Sequence, residues 1–389
     1  MQFKDIIGQR VLINRITQII DSGRIPHSQL LLGSNGYGAL ALALAYAQYL
    51  NCEHRQHYAV SDPEHELIAD SCGECPSCKK MQALVHADLH LVFPTAVPKG
   101  SSAEKMCAKM YMEEFITHAA KTHLYTTYED WIAVQCSDKK QGIIRETDAA
   151  NIVQTLSMTT YESKYKVLVI WMPEKMNPAA ANEVLKTLEE PTKNTVILMV
   201  SDNSDNMLST ILSRAQLIRV PRIADEDLIK TVASKIDIAG QEQALASAAE
   251  GDYIRAIKYM DDSNVERKYA GMFVEWMRKL FKLNMVPLAA WVDSIHSMSR
   301  DEQTQFLRYA QDAIRACFLK TAAGIVLAHR IQFGDAKFDD RFPYMISPNN
   351  IENINAAFDE AIMAINRNGY DKLVFMRLSF VLSSLLKKA

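Results

Sequence analysis

Up to about Val220, short apolar runs alternate with stretches of helical periodicity. The runs Gln29–Leu32, Leu89–Phe93, Lys166–Trp171, Thr195–Val200 and Gln216–Val220 have the length of strands. Between them, ETDAANIVQTLSM begins near Glu146 and PAAANEVLKTLEE begins at Pro178, a proline suited to a first helical turn. Strands alternating with helices predict a parallel sheet covered by helices.

After Pro221 the strand signals stop. ADEDLIKTVASKI (Ala224–Ile236), QEQALASAAEG and YIRAIKYM read as three short helices, and longer helical patterns follow from about Ser263. These include VERKYAGMFVEWMRKLFKL, EQTQFLRYAQDAIRACFLKTAAGIVLAHR and YDKLVFMRLSFVLSSLLKK, the last with a broad apolar face and a basic end that suits the helix dipole. The expected division is an α/β domain over 1–222, a small helical domain over 223–262 and an all-α domain over 263–389. One segment breaks the rhythm. From about Thr95 to Lys140 the connection is too long for an ordinary loop. It holds a helical pattern (Ala103–Thr122) and the aromatic-rich HLYTTYEDW, and reads as an insertion to which the residues assign no role.

The 389 residues are 48% hydrophobic and 23% charged, as in soluble globular proteins. No run approaches the length of a membrane span, and the N-terminal MQFKDIIGQRVL lacks the apolar core of a signal peptide, so a cytoplasmic location without a membrane partner is expected. A formal charge of −3 excludes a general polyanion binder, and any contact with nucleic acid would be local or shared with partners.

The stretch GSNGYGALALA (Gly33–Ala43) lies between an apolar run and a helical pattern, the setting of a phosphate-binding loop G-x-x-x-x-G-K-[ST]. Gly33 and Gly38 have the right spacing, with Gly36 between them, but Ala39 stands for the lysine and Leu40 for the hydroxyl residue. A working ATPase of this type also needs acids at the end of a second strand to hold magnesium and activate water. The candidate strand ends in Trp171, Met172, Pro173, Glu174, and Glu174 reads as a solvated loop carboxylate past the strand end. With the functions of Ala39, Leu40 and Trp171 all missing, no ATP chemistry is expected in this loop. The glycines are expected to persist because they shape the strand-to-helix turn.

Seven cysteines are unevenly placed. Cys107, Cys136 and Cys317 stand alone and read as buried or inert. Cys72, Cys75 and Cys78 form C-x2-C-x2-C, with Cys52 upstream, and four thiolates can close a tetrahedral zinc site. His54, His57 or His65 could replace Cys52 as the fourth ligand. A site with four protein ligands has no place for water and is structural.

These residues carry a resemblance. FKDIIGQRVLINRITQIIDSGRIPHSQLLLGSNGYG resembles the opening of bacterial clamp-loader subunits of the AAA+ class, and SCGECPSCKKM resembles the zinc module that this family places after the loop helix. AAANEVLKTLEEPTKNTVILMVSDNSDNMLSTILSRAQLIRV is similar to its sensor and arginine-finger region, and AAEGDYIRAIKYM to the end of its lid. The resemblance implies an AAA+ type domain with a degenerate loop, an inserted zinc module, a helical lid and a C-terminal collar. It implies a non-hydrolysing subunit of a DNA polymerase III holoenzyme, working with gamma/tau and delta subunits. Through that complex it would meet the sliding clamp and primed DNA. It places on Arg214 an arginine finger offered to the ATP site of the neighbouring gamma/tau subunit. Ala215 departs from the family's Ser-Arg-Cys. Two rival readings are a gamma/tau-type ATPase, opposed by Ala39 and Trp171, and a zinc-dependent DNA-binding protein, opposed by the acidic balance.

Overall fold

The computed structural model describes residues 1–58, 67–97, 106–135, 141–204, 207–233, 245–246, 249–260, 264–282, 284–324, 333 and 335–387. The chain forms two compact units, 1–231 with 250–255, and 232–249 with 256–389.

The first unit is built on β1 (Ser28–Leu32), the short β2 (Gln56–His57) and β3 (Ala69–Asp70), β4 (Leu89–Val92), β5 (Lys166–Trp171), β6 (Thr195–Ser201) and β7 (Gln216–Arg219). The main sheet has the order β4-β5-β6-β1-β7 with every pair parallel. The predicted strands match its members to within one residue at either end. The antiparallel ribbon of β2 and β3 was not legible, because its members are two residues long and Gln56 and His57 are exposed.

β5 and β6 are buried along their whole length, so both faces of the sheet must be covered. On one face Ile152 and Leu156 of α6 (Glu146–Ser157) and Ala181, Val184 and Leu188 of α7 (Pro178–Glu189) pack against Leu168, Ile170, Ile197 and Met199. Alternate strand residues such as Val169 and Leu198 point the other way, where α2 (Ala39–Leu50) lies. Lys166 begins β5 almost fully buried, and its Nζ donates to the carbonyls of Thr155 and Met158 at the end of α6. The cation thus meets the negative end of a helix.

The 95–140 segment contributes α4 (Met112–Thr122) and α5 (Tyr128–Gln135); residues 98–105 and 136–140, including Cys136, lie outside the described residues. Its aromatic side chains close on the sheet. Phe93 stacks on Phe115 at 4.2 Å, and Trp131 meets both edge-on at 5.1 and 5.2 Å. Trp131 Nε1 donates to the Pro94 carbonyl at 2.9 Å.

Of the three short helices expected after Pro221, two are found as Asp225–Ala233 and Tyr253–Met260, and QEQALASAAEG lies largely outside the described residues. The second unit is helical. Its main elements are Asn264–Lys282, Met285–His296, Arg300–Ala323, Ile351–Asn366 and Asp371–Leu386. Trp276 is fully buried, stacks on Trp291 at 5.0 Å and donates from Nε1 to Ser379 Oγ at 2.9 Å. The long pattern beginning at Glu302 is cut at Gly324, whose φ of 68° ends the helix in the left-handed conformation that glycine adopts without strain.

Trp131 is fully buried and fills the joint between the 95–140 segment and the sheet. Trp131→Ala is expected to destabilise the first unit by about 3–5 kcal/mol, read as a fall in its urea midpoint. An unchanged midpoint would show the joint to be dispensable.

Candidate functional site

The glycine loop follows β1 directly. Asn35–Tyr37 form a 3-10 turn in which the Tyr37 N–H donates to the Ser34 carbonyl at 2.9 Å and the Gly38 N–H to the Asn35 carbonyl at 3.4 Å. α2 then starts at Ala39. Ala39 and Leu40, at the positions of the phosphate-holding lysine and the magnesium-holding hydroxyl, are buried.

Turn shape explains only one of the three loop glycines. Gly38 has φ 84°. Gly33 and Gly36 do not adopt positive φ and are required by close approach instead. A Cβ on Gly33 would lie 2.6 Å from the Val220 carbonyl oxygen, and one on Gly36 would lie 1.8 Å from Asp252 Oδ1. Asp252 precedes the helix Tyr253–Met260 and accepts the Arg255 N–H at 2.9 Å through Oδ1. Its Oδ2 accepts from Ser34 Oγ at 2.7 Å. On the other side of the loop a Cβ on Gly38 would lie 2.7 Å from Tyr125 Oη. That hydroxyl accepts the Ile7 N–H at 3.1 Å, and the Tyr125 ring meets Tyr253 edge-on at 5.0 Å. Sequence reasoning missed both Tyr125 and Asp252. The aromatic richness of HLYTTYEDW was the only signal, and nothing local ties Asp252 to Gly36.

At the end of β5, Trp171 is buried with its ring 6.1 Å from Phe115, so the place of a magnesium ligand belongs to the aromatic core. Glu174 is not the solvated carboxylate expected. It is largely enclosed and accepts from Ser201 Oγ at 2.8 Å, because the turn after Trp171 folds it back over the end of β6. Burial pushes its carboxyl up to about 7. Burial also raises the neighbouring Asp202, which accepts from Asn35 Nδ2 at 2.9 Å.

The four cysteines converge. Cys52 follows α2, Cys72 and Cys75 lie in the loop after β3, and Cys78 sits in the helix Pro76–Gln82. Their sulfurs all lie within 4.8 Å of one another. Cys52 Sγ is 3.6 Å and Cys78 Sγ 3.9 Å from Cys72 Sγ. A tetrahedron with Zn–S of about 2.3 Å has S···S edges of about 3.8 Å, so the set fits zinc. The N–H groups of Cys72, Cys75 and Cys78 point at the sulfurs of Cys52, Cys72 and Cys75 at 3.2, 3.3 and 3.4 Å, as thiolates require. His54 and His57 are not part of the cluster found among the described residues, and His65 lies outside them.

Arg214 follows the short helix Ser209–Leu212 and precedes β7. Its side chain is about one-third exposed. Nε donates to Glu189 Oε1 at 2.7 Å, Nη2 pairs with the same oxygen, and Nη1 donates to the Thr210 carbonyl at 2.8 Å. Glu189 is the first glutamate after TL in KTLEEP, so the pair joins an earlier and a later part of the stretch likened to a sensor and arginine-finger region. Ala215 is packed against the core shared by α6 and α7.

A strand, glycine loop and helix on a parallel sheet define a P-loop type domain, in which Ala39, Leu40 and Trp171 stand where lysine, hydroxyl and strand-end acid are expected. The chain belongs to the family described as DNA polymerase III, delta subunit, whose model matches residues 8–224. It is 25% identical over 280 residues to DNA polymerase III subunit delta-prime of Haemophilus influenzae, covering 71% of this chain and 68% of that one. It is 28% identical over 197 residues to the delta-prime subunit of Bacillus subtilis, covering 51% and 43%, and 25% identical over 228 residues to the gamma subunit of Buchnera aphidicola, covering 59% and 47%. The chain thus spans less than half the length of the latter two relatives. No helix among the described residues is long and apolar enough to cross a membrane.

The folded pKa of Glu174 lies above its ordinary 4.5, so the neutral form favours the fold. That contribution is fully present below about pH 4.5 and is lost as pH rises through about 7. Glu174→Gln is expected to flatten the pH dependence of unfolding free energy across this window, by roughly 1 kcal/mol per pH unit. Denaturant titrations at several pH values check this, and an unaltered slope would mean that Glu174 titrates normally.

Proposed function

We propose that this chain is a delta-prime type subunit of the DNA polymerase III clamp loader, one that hydrolyses no ATP and lends Arg214 to the ATP site of a neighbouring gamma/tau subunit. The observation that carries the reading is the joint loss of three side-chain functions, at Ala39, Leu40 and Trp171, from a strand-loop-helix that is otherwise kept. Family membership supports the clamp-loader assignment. The partial exposure of Arg214 and its hold on Glu189 support the finger, since a fork of donors already aimed by a carboxylate needs little reordering to meet phosphate oxygens. The gamma/tau-type reading is disfavoured because the lysine and magnesium positions are apolar and buried.

In this reading the domains are 1–222, a lid over 223–262 and a collar over 263–389. The partners are gamma/tau and delta subunits in the cytoplasm, with the sliding clamp and primed DNA reached through the assembled complex. Arg214→Ala should leave the chain folded, because a partly exposed ion pair is worth about 0–1 kcal/mol. The assembled loader should lose ATP hydrolysis at one site and slow clamp loading roughly tenfold or more. Arg214→Lys should rescue poorly, since a point charge does not reproduce the fork. Normal loading by an assembled Ala variant would remove Arg214 from the site, and phosphate release by the purified chain alone would overturn the non-hydrolysing role.

Cys52, Cys72, Cys75 and Cys78 hold a structural zinc in this proposal. Metal analysis of chain purified without chelators should give one zinc per chain, and Cys75→Ser should fall well below that. Metal loss should unfold the cysteine module locally. A stoichiometry near zero would sink the zinc assignment.

A further inference from the structure

The loop keeps its shape, yet the space above it is not open. Two side chains from distant parts of the chain converge on it. Tyr125, from the insertion, brings its hydroxyl against Gly38 and onto the Ile7 N–H. Asp252 lays a carboxylate against Gly36 and the Ser34 hydroxyl. The two arms meet, since the Tyr125 ring packs edge-on against Tyr253, the residue after Asp252.

The approach of Tyr125 is strained. The residues before it, His123 and Leu124, both have positive φ, at 50° and 66°. Neither is a glycine, and such conformations persist in L-residues only where the surroundings over-determine them. Leu124 and Tyr125 are both buried, so seating these side chains offsets the strain of the turn.

Asp252 has a different chemistry. A glycine loop leading into a helix attracts anions, through its N–H groups and the positive end of the helix dipole. Here an anionic group of the chain itself stands at the loop, fixed by Ser34 and by the Arg255 N–H. A phosphate entering there would have to displace that carboxylate and would be repelled by it.

We propose that Tyr125 and Asp252 are an internal plug that fills the degenerate nucleotide site, and that anchoring Tyr125 is the role of the 95–140 insertion. Missing catalytic side chains and physical occupancy are then two separate barriers to nucleotide. The plug rests on the reading of this chain as a non-hydrolysing subunit, and it goes further by stating what occupies the site.

The test separates the two barriers. Full-length chains are titrated with magnesium-ADP by calorimetry in unmodified form, with Ala39→Lys and Leu40→Thr, with Tyr125→Ala and Asp252→Ala, and with all four changes. With the plug in place, restoring lysine and threonine alone should bring no binding beyond that of the unmodified chain. The fourfold variant should bind at least about tenfold more tightly than the restored one. Equal binding by the restored and fourfold variants would overturn the plug, as would a folded fourfold variant that binds no better than the unmodified chain. If the fourfold variant does not fold, Tyr125→Ala alone is followed by hydrogen exchange at the loop. The plug requires exchange at the Gly36–Leu40 amides to quicken by about tenfold or more, and unchanged exchange overturns it. ATP hydrolysis by the unmodified chain would instead strike the proposed function, whatever the variants do.

Discussion

Every one of the twelve residues of α2 is buried. A helix reading ALALALAYAQYL has no polar face to give to water, so it must be enclosed on all sides. Much of the first unit can be understood as that enclosure. The sheet covers one side. Phe3 of the N-terminal turn packs on Tyr49 at 5.5 Å, and Tyr49 Oη donates to Asp21 at 2.8 Å. The few polar atoms of the helix are paired inside, with Gln48 Nε2 donating to Ser71 Oγ and Tyr46 Oη accepting from Gln29. Cys52 follows just past the C-cap Asn51, so the cysteine module is fastened to the end of the same helix. This need for enclosure is a reason for strand, loop and helix to be retained when the lysine and hydroxyl are not.

The substituted positions have been taken over by packing. Trp171 joins Phe93, Phe115 and Trp131 in an aromatic cluster that α4 and α5 complete. Asp70 of β3 shows the same economy in a buried polar setting. Its carboxylate accepts the N–H groups of Phe3, Lys4 and Ser71, which tie the N-terminal turn to the cysteine module, while burial pushes its pKa up.

What the sequence revealed and what it hid follow one rule of range. Continuous apolar runs marked β5 and β6, because burial along their whole length leaves little choice of residue, whereas the mostly exposed edge strand β7 was marked only by the short run around Leu217 and Ile218. C-x2-C-x2-C was legible because its geometry is almost local, and the fourth cysteine of the cluster lies just past the end of α2. Glu174 was misread because a strand end looks exposed until the turn after it is known. The contacts of Asp252 with Gly36 and of Glu189 with Arg214 were invisible, since each joins segments that neither periodicity nor motif spacing relates. Gly36 was correctly noticed and wrongly explained, as a residue shaping a turn when in fact it makes room for a carboxylate.

That last contact ties the history of two positions together. While the Asp252 carboxylate keeps this seat, a methyl group at 36 would overlap it, so a side chain there requires the carboxylate to swing away. Once Asp252 is shortened, position 36 becomes free to drift. A side chain at 36 and the present seat of the Asp252 carboxylate therefore exclude each other. Two sites far apart in the gene are in this way joined across a single missing carbon atom.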